Sequence, residues 1–164
     1  MYYGIQLWGS ASQKVIAKTI ILQKRAVRII NNAPYNSHTE PLFKVNRILK
    51  LKDLWEYQIV LFMYDFVNNY LPQSFNNMFQ LNLDINPDRI TRQSSDLYMP
   101  KFKNMFVSKL PPFHFPKVWN HWKSKLDYNM PRHAFKSSLK QYILSSYSSQ
   151  IKCMYSGCKE CNSI

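Results

Sequence analysis

The chain has 164 residues, 46% of them hydrophobic and 15% aromatic, and a formal net charge of +13. That composition excludes an intrinsically disordered polymer, and the length suits one domain with enough chain to bury a core. The charge is uneven. Residues 1–52 hold nine Lys/Arg against one acid, residues 53–100 hold two against six, and residues 101–164 hold eleven against two. Two basic regions flank an acidic middle, and a polyanion is the natural partner of such a chain. The plainer alternative is a basic surface with no dedicated ligand.

The first predicted helix covers residues 14–32, with Ser10 or Ser12 as N-cap and Asn31-Asn32-Ala33-Pro34 as the stop. At about 100° per residue, Lys14, Lys18, Arg25 and Arg28 share an arc of about 80°. Val15, Ile16, Ile20, Leu22, Ala26, Val27, Ile29 and Ile30 are assigned to the opposite side, the face expected to bury itself. Ile21 breaks the pattern by landing among the cations. Pro41 is expected to open a short helix over residues 42–49. Asp53 then reads as the N-cap of a long helix to about Tyr70, with Glu56 at capping-box spacing. Residues 54–67 are apolar nearly all round, so this helix should be the most buried element.

Residues 73–79 read as a further turn or two, and residues 83–96, with Asn86-Pro87-Asp88, as a loop. Helical periodicity is lost between Leu97 and Phe115, where Pro100, Pro111 and Pro112 intervene. Extended pieces at 97–99, 104–107 and 113–115 predict a small β-hairpin. Residues 118–126 read as a short helix, and Pro131 starts a last one carrying Phe135, Leu139, Tyr142 and Ile143 on one face, with Lys136 and Lys140 beside it. The expected fold class is mainly α, with a single helical domain over residues 1–149, a small β-hairpin, and a short Cys-containing tail over residues 150–164.

Much chemistry is excluded. The three glycines, Gly4, Gly9 and Gly157, leave residues 10–156 without one, so neither a P-loop nor a dinucleotide fingerprint can be built. No Asp-Asp pair exists for two-metal polymerase or nuclease chemistry. Tyr64-Asp65 lies in a helical run, where Asp65 reads as a helix-surface acid. His38, His114, His121 and His133 are scattered, and no Gly-x-Ser-x-Gly elbow occurs. No catalytic residue is expected. Cys153, Cys158 and Cys161 form C-x4-C-x2-C, but three thiolates fall one short of a structural zinc site. They are weak metal candidates, needing water, Glu160 or a second chain to complete them, and the preferred reading is a free, oxidisable tail with no cofactor.

Cations interleave with aromatics at Tyr98, Lys101, Phe102, Lys103 and Phe106, and again at Lys117, Trp119, Trp122 and Lys123. Such arrays suit nucleic acid, since bases stack and phosphates pair. For Trp119 and Trp122 the core reading is preferred, while Lys101 and Lys103 stand as candidates. No window is long and uncharged enough to cross a membrane, and the N-terminus lacks a basic n-region and a small-residue cleavage site. The expected location is intracellular, in cytoplasm or nucleus.

The chain also carries a resemblance. YGIQLWG (residues 3–9) and LQKRAVRIINN (residues 22–32) resemble the segment just after the catalytic palm in reverse transcriptases of non-LTR, LINE-type retrotransposons, especially jockey-like elements. HTEPLFKVNRILKLKDLWEYQIVLFMYDFVNNYLP (residues 38–72) resembles the next helical block. TRQSSDLYMPKFKNMF (residues 91–106), PKVWN (residues 116–120) and FKSSLKQYILSSY (residues 135–147) resemble later stretches in the family's order. The resemblance implies a thumb-proximal appendage of an RNA-directed DNA polymerase without its active site. It implies that Lys14, Lys18, Arg25 and Arg28 track phosphates of RNA or an RNA/DNA duplex without reading sequence, and that the palm portion of a reverse transcriptase is a partner. The family's Cys-rich ending gives zinc some added weight. A match that starts at Tyr3, past the palm, carries the expectation of a truncated reading frame. The alternatives are a protein-interaction module or an inert translated fragment.

Overall fold

A computed structural model describes residues 3–88, 90–104 and 106–147. It is mainly helical: α1 (Ile5–Trp8), α2 (Gln13–Ile30), α3 (Thr39–Val45), α4 (Leu51–Val67), α5 (Asn82–Ile85), α6 (Pro111–Lys123) and α7 (Arg132–Ser145), with single 3-10 turns at Gln73–Phe75 and Val107–Lys109. Among the described residues no helix is long and apolar enough to cross a membrane. The chain divides into two compact units. One holds Trp55–Leu139 with the described residues up to Ser10, and the other holds Ala11–Leu54 with the described residues from Lys140 onward.

The first unit is built on the C-terminal three turns of α4. Ile59, Val60 and Met63 there are fully enclosed, as the all-round apolar sequence requires. Aromatic rings join α4 to the elements that cover it. Phe62 meets Phe115 of α6 edge-on at 5.5 Å, and Tyr64 stacks on Phe135 of α7 at 4.3 Å. Trp119 and Trp122 are core residues, which bears out the preference for that reading. The Tyr64 hydroxyl donates to Met130 O at 2.6 Å. Gly9 is required by close approach, since a Cβ there would lie 2.3 Å from Trp55 Cδ1.

The expected hairpin is not formed. Among the described residues the extended pairing is a single antiparallel bridge, Leu81 with Leu97. Leu97 is held from outside the pairing by Asn120 of α6, whose Oδ1 accepts from Leu97 N (3.0 Å) and whose Nδ2 donates to Leu97 O (2.8 Å). Residues 113–115 are helical instead. Pro111 and Pro112 read as strand punctuation, yet they occupy the first turn of α6, where a missing N–H costs nothing. Pro116 then sits buried inside the same helix, at a position that normally disfavours one.

The second unit rests on α2, α3, the first turn of α4 and the last turns of α7. Its core includes Val27, Phe43, Leu49, Leu51, Leu54, Ile143 and Tyr147. Two boundaries move. The short helix begins at Thr39, placing Pro41 in its first turn, and α4 begins at Leu51, so Asp53 is not its N-cap. The Asp53 carboxylate instead accepts from the Tyr147 hydroxyl, which itself accepts from Lys50 N–H at 2.9 Å. Burial and that carboxylate both push the Tyr147 phenol well above its usual range.

Candidate nucleic-acid interface

Helix α2 starts at Ser12 as N-cap and ends at Asn31, within two residues of the expected bounds. Asn32 follows in a left-handed conformation with φ of 49°. The helix carries no acid anywhere along its length. Lys14, Lys18 and Arg25 are exposed. They lie along one line of the helix that extends about 16 Å from first to last. Among the described residues none of the three makes an ion pair. Arg28 is different, because its Nε donates to Ser37 O at 3.0 Å and its guanidinium lies 5.7 Å from the centre of the Tyr35 ring. It therefore fixes the loop after α2 as well as extending the basic arc.

The apolar side of α2 departs from expectation. The face turned into the unit runs through Ile16, Ile20, Gln23 and Val27, with Gln23 and Val27 buried. Val15, Leu22, Ile29 and Ile30 are exposed. The 100° rotation explains the first three, while nothing in the angle explains Ile30. Val15, Leu22 and Ile29 fall about 60–100° from Lys14, beside the cations rather than opposite them. At the centre of the packed face stands a polar residue that pattern-reading passes over. Gln23 Nε2 donates to Leu49 O (2.9 Å), and its Oε1 accepts from Leu51 N–H (3.0 Å). One buried amide thus satisfies the chain on both sides of the start of α4.

Other predicted residues lie elsewhere. Lys101 and Lys103 are exposed in the irregular segment before α6, next to an exposed Phe106 and a Phe102 that meets Phe113 edge-on at 6.0 Å. Lys136 is exposed on α7, and Lys140, half-buried, follows one turn later. Several further cations are engaged inside their own units. Lys50 pairs with Glu40 at 2.6 Å, Lys44 Nζ donates to Tyr147 O at 2.8 Å, and Lys123 Nζ binds Asp96 Oδ1 at 3.0 Å. Arg132 grips Asp65 through Nε and Nη2 at 2.6 and 2.8 Å, which raises the guanidinium pKa further. Asp65 is therefore more enclosed than a surface acid, with a side chain 14% exposed.

No group of three His, Cys, Asp or Glu side chains able to hold a metal ion occurs among the described residues. Cys153, Cys158 and Cys161 lie outside them. The residues 91–98 stretch frames an open polar depression lined in part by Asn82, Asn86, Arg92 and Tyr98. Comparison with protein-family models, with curated proteins and with solved structures finds no match.

Proposed function

We propose that the chain binds the sugar–phosphate backbone of RNA or of an RNA/DNA duplex through the exposed basic line of α2, without reading sequence. The observation that carries this is the placement of Lys14, Lys18 and Arg25 on one exposed side of a helix without acids. Cations held by carboxylates have their charge answered already, whereas these have theirs to offer. Lys101 and Lys103 supply a secondary contact, where Phe102 and Phe106 offer ring faces to unstacked bases. Lys136 and Lys140 supply a third basic element.

The ordered resemblance to the post-palm region of non-LTR reverse transcriptases supports the same reading from a separate direction. In that reading the chain is a thumb-like appendage of an RNA-directed DNA polymerase. It contributes no catalytic carboxylate, and the palm portion is the partner that performs chemistry. Its place of action is then inside the cell, in cytoplasm or nucleus.

Sequence indifference is the direct test of phosphate tracking. Fluorescence anisotropy of labelled RNA duplexes of equal length and unrelated sequence should give equal affinities. A difference of tenfold or more between duplexes would contradict backbone binding.

A further inference from the structure

Of the five exposed large aliphatic residues of α2, three fall in a line, while Ile21 lies among the cations and Ile30 toward the packed face. Val15, Leu22 and Ile29 are 65%, 58% and 75% exposed. They recur every seven residues, so the stripe drifts by only ~20° per repeat and runs for about 21 Å along the helix. Thr19 and Ala26 sit between them, small enough to let another backbone approach. In heptad terms Val15, Leu22 and Ile29 take one seam position and Thr19 and Ala26 the other, while Lys18 and Arg25 take the flank that pairs across a seam. Phosphate contact gives these aliphatics no role, because a backbone ligand presents charge and demands donors.

We propose that this stripe docks an amphipathic helix of another protein, one whose apolar seam meets Val15, Leu22 and Ile29 and whose acidic flank meets Lys18 and Arg25. Charge complementarity selects the occupant. A second copy of α2 brings no acid. Antiparallel pairing would oppose cation to cation, and parallel pairing would leave the cations without carboxylates from the seam. Residues 148–164 carry Lys152 and Lys159 against one acid, Glu160, so they complement the flank no better. A helix lying in a lipid surface keeps a polar face opposite its apolar one. In α2 the stripe has cations on one side and, on the other, the inward face of half-buried Ile16 and Ile20 and buried Gln23 and Val27, which is the arrangement of a seam.

The test uses the full chain and a labelled synthetic 21-residue helical peptide with Leu at both seam positions and Glu at both flanks. A second peptide carries Lys in place of each Glu. The Glu peptide should bind, and the Lys peptide should bind at least about tenfold more weakly. The triple variant Val15→Ser, Leu22→Ser, Ile29→Ser should keep its melting temperature and its RNA affinity while losing the Glu peptide by tenfold or more. The double variant Lys18→Glu, Arg25→Glu should reverse the preference between peptides. Equal binding of the two peptides, or undiminished peptide binding by the triple variant, overturns the proposal. So does a wild-type homodimer abolished by the triple variant, or capture by phosphatidylserine vesicles with no peptide binding. Because RNA is titrated in parallel, failure here is distinct from failure of backbone binding.

Discussion

At the scale of single residues, the most consequential side chain is Gln23. Its amide is buried and answers both the carbonyl of Leu49 and the N–H of Leu51. Replacing it by Leu keeps much of the volume but orphans two buried backbone groups, each costing about 1–3 kcal/mol. A thermal melt of Gln23→Leu should show a large loss of stability, and an unchanged midpoint would mean the amide is dispensable. His114 is the second informative residue. It stacks on Trp55 with ring centroids 4.7 Å apart, and its Nε2 is buried with no hydrogen-bond partner among the described residues. Burial, and then the nearby Lys117, hold its pKa below the ordinary imidazole value. The unfolded chain therefore takes up the proton first as pH falls. Stability from this group is complete above the ordinary imidazole pKa and declines as pH drops through it. Denaturant melts between pH 7.5 and 5 should show that decline, and His114→Phe should lessen it.

At the scale of elements, α2, α4 and α7 were legible from periodicity and their stop signals, because long helices state their faces repeatedly. What stayed hidden depended on partners distant in sequence. Asp53 has the spacing of a cap, but its carboxylate is taken by Tyr147, ninety-four residues away. Leu97 looks like a hairpin strand, but Asn120 of α6 supplies the hydrogen bonds that a second strand would. Pro111 and Pro112 serve equally as breakers and as helix starters, and only the packing of Phe115 and Trp119 decides between them. On α2 the cations were legible. The apolar stripe was not, since an aliphatic residue on a helix is assigned to the core unless its angle is followed closely. Two substitutions separate the buried helix from the exposed stripe. Leu61 on α4 is buried, so Leu61→Asp places an unpaired carboxylate in a core and should cost several kcal/mol, about the whole margin of a small domain. Leu22→Asp on α2 should stay within about 0.5 kcal/mol. Chemical denaturation of the two variants beside wild type checks both, and comparable losses would show that α2 is packed on the stripe side.

At the scale of the whole molecule, the charge of +13 is divided between internal ties and open cations. Lys44, Lys50, Lys123 and Arg132 hold elements together within their own units, while Lys14, Lys18 and Arg25 face outward from a helix without acids. A generic basic coat would scatter its affinity over many weak sites. A dedicated line concentrates it, and the two differ in how binding responds to salt and to a few substitutions. The measurement that tests backbone binding most directly is the affinity for a labelled RNA duplex across a salt series. Wild type is compared with the variant Lys14→Gln, Lys18→Gln, Arg25→Gln, which keeps Arg28 for its contact with Ser37. Wild type should lose affinity on a log–log slope of about −3 to −4, and removing three cations should flatten that slope by about 2–3 without lowering the melting temperature. An unchanged slope in the variant, or no binding by wild type at low salt, would contradict the assignment of α2 as the nucleic-acid interface.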